Sequence, residues 1–261
     1  MVTFVPTPIG NLDDISKRAL LALQNSEIIF AEDTRVTKKL LNLLNIPLDK
    51  EFISMHSHNE EMVLSKLNPD VLNSKECVYV SDAGMPAISD PGAKLVKYCQ
   101  NHGVKYTVIP GPNAAITAFA ASGFEGDFCF FGFLPHKGND RSEKLQQIIN
   151  SGKIAILYES PHRIEKLIKE LKELIPQNEI FLAKELTKVH ETYIKGKVKD
   201  IELQNTKGEW VVVINTQKKS DKLELSYEDI LSLPLPPKEK SKLLAKISDK
   251  SAKEIYKELI N

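Results

Sequence analysis

The residues with the most chemical potential sit in five turns, each built from Gly, Pro, Ser or acidic side chains. Ser81-Asp82-Ala83-Gly84-Met85-Pro86-Ala87-Ile88-Ser89-Asp90-Pro91-Gly92 is the most informative of them. It is longer than a connection requires, since loops in α/β units usually span about 2–6 residues. A long loop of small and acidic residues directly after an apolar run points to ligand binding. Glu32-Asp33-Thr34-Arg35 sets two carboxylates beside a guanidinium. Such a group can position a substrate or accept a proton, and Asp33 or Thr34 can equally cap the following helix. Thr7-Pro8-Ile9-Gly10-Asn11 fits neither a dinucleotide-binding glycine pattern nor a phosphate-cradling loop with its lysine. By itself it is an ordinary turn from strand to helix. Pro110-Gly111-Pro112-Asn113 is stiff and leads into small residues, Ala114, Ala115 and Ala118, which admit a ligand or a second helix equally well. Tyr158-Glu159-Ser160-Pro161-His162-Arg163 offers His162 and the forked guanidinium of Arg163 to a phosphate. His136, Lys137, Arg141, Lys144 and Lys184 add positive charge, which any solvated surface also carries. His56 and His58 lack a carboxylate partner motif and read as loop or substrate-side residues, not metal ligands.

The elements that must position these turns follow from periodicity. Strands are expected at 2–5, 27–31, 52–54, 77–80, 106–109, 128–133, 154–158, 180–183, 191–195 and 210–214. Helices are expected at 12–23, 36–44, 60–67, 93–101, 113–121, 144–149 and 164–174. This alternation predicts an α/β protein whose first sheet is mostly parallel, with ligands outside the carboxyl ends of its strands. The expected division is an α/β domain at 1–111, a second α/β domain at 112–217, and a Lys-rich tail at 218–261. Helices at 238–247 and 251–259 would give that tail a helix-turn-helix outline. The 261 residues allow a large core without disulfides or a structural metal. Lys plus Arg and Asp plus Glu are both 35, so no global field draws the chain to RNA or an anionic membrane, although a local basic face remains open. Cys77, Cys99 and Cys129 are few and widely spaced, which suggests a reducing compartment and no zinc site; Cys77 and Cys129 are expected in the core. No signal peptide or membrane-spanning run is visible, so a cytoplasmic protein is expected.

Taken in order, TPIGNLDDIS at 7–16, AEDTR at 31–35, SDAGMPAISDPG at 81–92, PGPNAAITA at 110–118, FFGFLP at 130–135, YESPHR at 158–163 and AKELTKVHE at 183–191 resemble the ribosomal small-subunit methyltransferase I family. That family belongs to the tetrapyrrole-methylase superfamily. The resemblance covers nearly the whole chain, including LPPKEKSKLLAKISDKSAKEIYKEL in the tail. Met85 stands where the family usually has Thr, and Asn113 where it usually has Ser.

The resemblance implies a two-domain class III methyltransferase fold, with S-adenosylmethionine (SAM) in the cleft between the domains. It implies a homodimer that 2′-O-methylates a cytidine ribose of 16S rRNA near the decoding centre, within the 30S subunit. By motif position, Ile9, Gly10, Asp82, Ala83, Gly84, Ile88, Asn113, Ala114, Tyr158, Glu185, Leu186 and Trp210 would contact SAM. Asp33, Glu159 and Lys184 are candidates for the base, because they end strands that should face the cleft. Glu32, Arg35, Arg141, Lys144, His162, Arg163 and Lys188, with the Lys-rich tail, would meet the nucleotide and its RNA. The alternatives are a methyltransferase of the same fold acting on a tetrapyrrole precursor, and a non-catalytic RNA-binding assembly factor. A nucleotide hydrolase is disfavoured by the missing phosphate-loop lysine.

Overall fold

Every strand of the first sheet is parallel to its neighbours, and the central three are buried along their whole length. The computed structural model describes residues 1–217, 226–248 and 250–260, divided into units at 1–217 and 218–261. In chain order the first half contains β1 (Val2–Phe4), α1 (Lys17–Asn25), β2 (Ile28–Ala31), α2 (Thr34–Leu43), β3 (Glu51–Ser54), α3 (Glu60–Leu64), α4 (Pro69–Ser74), β4 (Cys77–Val80), α5 (Ala93–Asn101) and β5 (Tyr106–Val108). The sheet order is β3-β2-β4-β1-β5. Burial on both faces explains the continuous apolar runs of β1, β2 and β4. Phe4, Phe30 and Tyr79 pack on one face; Ile29, Val78 and Val80 alternate onto the other with Leu23 and Leu41.

The second half contains α6 (Ala114–Ser122), β6 (Phe128–Phe133), α7 (Asn139–Ile149), β7 (Ile154–Glu159), α8 (Ile164–Leu174), β8 (Glu179–Lys184), β9 (Thr192–Lys197) and β10 (Trp210–Asn215). Its sheet runs β6-β7-β10-β8-β9, with β6 and β7 parallel and the remaining pairs antiparallel. Leu157, Leu182 and Val212 face α7 and α8, while Ile156, Ala183 and Val213 face Ala115 and Ala118 of α6. In the tail unit, α9 (Tyr227–Ser232), α10 (Pro237–Leu244) and α11 (Ala252–Ile260) enclose Ile230, Leu244 and Ile255. Among the described residues no helix is long and apolar enough to cross a membrane, and no group of three or more His, Cys, Asp or Glu could hold a metal ion.

Several elements differ from the sequence expectation. The helix expected at 12–23 splits: Leu12–Asp14 is a 3-10 turn, and Ser16 then caps α1 by accepting the Ala19 N–H. Helices α4 and α9 are additions to the expected set, for each is short and buries a single residue, Leu72 or Ile230. Helix α7 begins five residues before its expected start at 144, because its first turn buries Arg141 instead of a hydrocarbon. Asn113 is not the first residue of α6 but its cap. Cys77 and Cys99 are buried, whereas Cys129 is only partly so, because it lies on the edge strand β6.

Candidate active site between the two sheets

The strand-end turns of the first sheet are interlocked. Thr7 and Gly84 exchange backbone hydrogen bonds, both 3.0 Å, and the Thr7 hydroxyl donates to Ser81 O. Asp33 caps α2, its Oδ1 accepting the Arg35 N–H at 2.8 Å, and its carboxylate pairs with the Arg35 guanidinium at 2.6 Å. The Asp33 N–H donates to Asp82 Oδ1 at 3.1 Å, and the Asp82 N–H to Glu32 Oε2 at 3.3 Å. The expected capping role of Asp33 and the expected ligand loop at 81–92 are therefore tied directly together.

Turns of the second half close onto this edge. Gly10 packs so tightly against the turn at 185–188 that a Cβ would lie 2.5 Å from Lys188 Cγ and 2.8 Å from Leu186 O. The Asn11 N–H donates to Thr187 Oγ1 at 3.0 Å. Asn113 Oδ1 accepts the Ile116 N–H at 3.0 Å, and the Ala115 N–H donates to the Tyr158 hydroxyl at 3.2 Å, joining α6 to the end of β7. Four non-glycine residues on the two facing turns have left-handed backbones: Ala87 (φ 66°), Ser89 (φ 68°), Glu185 (φ 52°) and Thr187 (φ 63°). Such conformations are unfavourable for a residue with a Cβ, and they concentrate at binding and catalytic sites.

Between these turns lies a cavity of about 460 Å³. Of the residues expected to hold a cofactor, all but Gly10 and Glu185 line it: Ile9, Asp82, Ala83, Gly84 and Ile88 from the first half, then Asn113, Ala114, Tyr158, Leu186 and Trp210. Glu32 and Glu159 line it as well. Gly10 serves the closure just described. Glu185 turns its carboxylate away to the Glu209 N–H and the Lys188 ammonium, at 2.8 and 2.9 Å.

The lining also includes Met85, Ser89, Asp90, Phe133, Ser160, Pro161, Glu209 and Val211, to which the motifs assign no site role. Ser89 and Asp90 belong to the long loop that stands out in the sequence, and Phe133 ends an apolar strand. Nothing in the local pattern separates them from ordinary turn residues.

The remaining candidates are engaged elsewhere. Arg141, expected to meet RNA, is only 1% exposed, because Glu170 takes its Nε and Nη2, Pro135 O takes Nη1, and Glu159 lies 3.6 Å away. Arg163, expected on phosphate, bonds Glu159 Oε1 at 2.7 Å and Leu134 O at 3.0 Å. Lys188 is bound by Glu185 and Glu209. Arg35 and His162 are exposed, and the Lys144 ammonium lies over the Phe131 ring.

As proton acceptors the three sequence candidates are poorly placed. Asp33 is held down to about 2, first by the side-chain hydrogen bond from Arg35. Glu159 sits between two guanidiniums. The Lys184 ammonium donates to Asn205 O and lies over Trp210, outside the cavity lining.

Electrostatically the cavity has one sign. Its lining contains Glu32, Asp82, Asp90, Glu159 and Glu209 and no Lys, Arg or His. Burial pushes the carboxyl groups of Glu32 and Asp82 up, against the backbone hydrogen bonds each accepts. Asp90 is pushed up to about 6, first by burial and then by the charge of Glu32. Such a wall repels a phosphate or carboxylate ligand and attracts a cation. Phe133, Tyr158, Trp210, Ile9 and Leu186 supply apolar surface around it.

The family model of the tetrapyrrole (corrin/porphyrin) methylases matches residues 1–202. The methyltransferase CobJ shares the fold with a TM-score of 0.60, at 18% identity over 81% of this chain and 92% of that one. A uroporphyrin-III-C-methyltransferase from Thermus thermophilus does so with a TM-score of 0.54, at 18% identity over 83% and 95%. The architecture is thus that of the tetrapyrrole methylases. Ribosomal RNA small subunit methyltransferase I of Campylobacter fetus is 47% identical with both chains covered completely. Its counterpart in Helicobacter pylori is 44% identical over 98% of this chain and 96% of its own, and that of Thermotoga maritima 39% over 81% and 96%. The chain belongs to the ribosomal RNA small subunit methyltransferase I family.

Proposed function

We propose that this protein uses SAM to methylate the 2′-hydroxyl of a cytidine ribose in 16S rRNA, near the decoding centre of the 30S subunit, as a homodimer in the cytoplasm. The observation that carries the reading is a cavity walled by carboxylates and without a cation, in a chain similar from end to end to relatives named for small-subunit rRNA methylation. SAM carries a sulfonium, an ammonium and one carboxylate, a net positive charge, and the acidic wall fits its two cationic groups. Glu32 and Asp82 offer negative charge on one side, while Tyr158, Trp210, Ile9 and Leu186 offer flat and apolar surface for an adenosyl group. The turns at 81–92 and 185–188, each with two left-handed non-glycine residues, both contribute to the cavity lining. The phosphates of a dinucleotide or nucleoside triphosphate would be repelled there.

When bound, SAM supplies an electrophilic methyl group on its sulfonium. The chain's own part is largely positioning, which alone can account for much of a methyl-transfer rate. Asp82, anchored by the Asp33 N–H, holds the cationic end. Exposed Arg35 and His162, with Lys144 and the Lys-rich tail, are the groups available to RNA phosphates. Exposed Ile116 and Phe128 offer apolar surface to a second copy.

The test is transfer of labelled methyl from SAM to 30S subunits, to naked 16S rRNA and to a tetrapyrrole precursor, followed by nucleoside analysis. Label recovered as 2′-O-methylcytidine is the expected result. Label confined to the tetrapyrrole would overturn the rRNA reading, and SAM binding without transfer to any acceptor would favour a non-catalytic role. Asp82→Ala should weaken SAM binding by about ten- to a hundredfold in calorimetry, the scale of a missing hydrogen bond to a charged group. Unchanged affinity would remove Asp82 from the cofactor site.

A further inference from the structure

Of the five carboxylates lining the cavity, four already have partners. Glu32 accepts the Asp82 N–H, and Asp82 accepts the Asp33 N–H. Glu159 Oε1 takes Arg163 and the Ser160 N–H, with Arg141 on its other side. Glu209 takes the Lys188 ammonium at 2.8 Å. Asp90 alone has neither a backbone N–H nor a cationic side chain bonded to it among the described residues; the Ser81 hydroxyl, buried and without a hydrogen-bond partner of its own, lies near it.

The segment that carries Asp90 is held firmly. Ala87 and Ser89 keep left-handed backbones, the Ala87 N–H donates to Pro91 O at 3.1 Å, and the Gly92 N–H donates to buried Glu60 at 3.1 Å. A Cβ on Gly92 would lie 2.8 Å from the Tyr79 ring, so the end of the loop packs closely on that ring. Strain of this kind persists only where the surroundings over-determine it.

We propose that Asp90 is the proton acceptor of this site. The proposal rests on the methyltransferase reading above. The acceptor hydroxyl oxygen forms its new bond to the methyl carbon of SAM. The carbon–sulfur bond breaks with its electron pair passing to sulfur, which becomes a neutral thioether, and the hydroxyl proton passes to an Asp90 carboxylate oxygen. The groups that act on Asp90 are Glu32 and Asp82 from neighbouring turns and the Ser81 hydroxyl, while Tyr79 beneath it and Tyr158 from the second sheet feel its charge. Burial first, and Glu32 second, push its carboxyl up to about 6, which leaves it ionised yet basic near neutral pH.

Asp90→Asn decides the matter, assayed on whichever acceptor the wild-type protein methylates with labelled SAM. Methyl transfer should fall by about 100-fold or more, the usual scale for removal of a general base. SAM affinity in calorimetry should fall far less than the rate, since four of the five wall carboxylates remain, and the acidic limb of the pH–rate profile, with its midpoint near 6, should vanish. Asp90→Glu should restore part of the rate and the limb. Stability gives a readout independent of turnover. A carboxyl raised above its unfolded value makes the folded protein hold its proton more tightly, so stability falls as pH rises from about 4 to about 6. Asp90→Asn without ligand should therefore melt higher than wild type at pH 8 and gain less at pH 4.

A wild-type rate in Asp90→Asn, or a drop in SAM affinity as large as the drop in rate, would overturn the assignment while leaving the methyltransferase reading intact. Failure of the wild-type protein to label rRNA, while it labels another acceptor, would overturn the rRNA reading alone. Failure to label any acceptor would overturn both.

Discussion

Arg141 shows how far a residue's type can mislead about its place. Its guanidinium lies against Glu170 and Glu159 with almost no solvent exposure, and Arg163 closes the other side of Glu159. The cluster sits directly behind the Glu159 edge of the cavity, so it fixes the end of β7. Removing one member leaves buried charge without compensation, which typically costs about 3–5 kcal/mol. Arg141→Ala should lower stability by that order in urea unfolding, and the salt dependence of rRNA binding should not change. A shallower salt slope with normal stability would instead return Arg141 to the RNA surface. The charge of Arg141 and its distance from Tyr158 along the chain are plain in the sequence, but its burial depends on Glu159 of β7 and Glu170 of α8 converging on it, which no local pattern encodes. Asn113 is the opposite case. It departs from the usual family residue, yet its side chain supplies the same helix cap that a serine would.

The elements that position the site are readable to the extent that burial is continuous along them. Strands β1, β2 and β4 are buried on both faces and stand out as apolar runs; α8 buries Ile164, Leu167, Ile168 and Leu171 at helical spacing. Helices α4 and α9 escape because one buried residue makes no period. Turns are legible as turns, but their mutual packing is not. The turn at 7–11 is the clearest instance: Leu186 O and Lys188 crowd the α-carbon of Gly10, and a Cβ there would collide with both. Its backbone is not left-handed, so the requirement is one of space. Gly10→Ala should force the turn at 185–188 away from the first sheet and widen the cavity. The expected result is weaker SAM binding with only a small shift in melting temperature. A protein with normal affinity would mean that the closure does not matter to the ligand.

At the scale of the whole molecule, charge is segregated in a way that the net value conceals. Lys plus Arg equals Asp plus Glu across the chain, yet the cavity wall is acidic throughout its ionisable lining. A cation-seeking pocket and a polyanionic acceptor then require separate surfaces. The tail unit offers one for the acceptor. Lys238 and Lys242 share one face of α10, and Lys253 and Lys257 one face of α11, all four exposed at a spacing where like charges repel. A helix keeps such a face at a small cost in its own stability, which a polyanion would reverse on binding. Replacing these four lysines by glutamine should therefore leave SAM affinity unchanged and helix content intact. It should weaken binding to 30S subunits and flatten the plot of log affinity against log salt by about 0.7–0.9 for each phosphate that is no longer neutralised. Titrations at several salt concentrations measure this directly. An unaltered slope would assign the RNA-binding charge to Arg35, His162 and Lys144 instead, and would leave the tail without an electrostatic part in substrate capture.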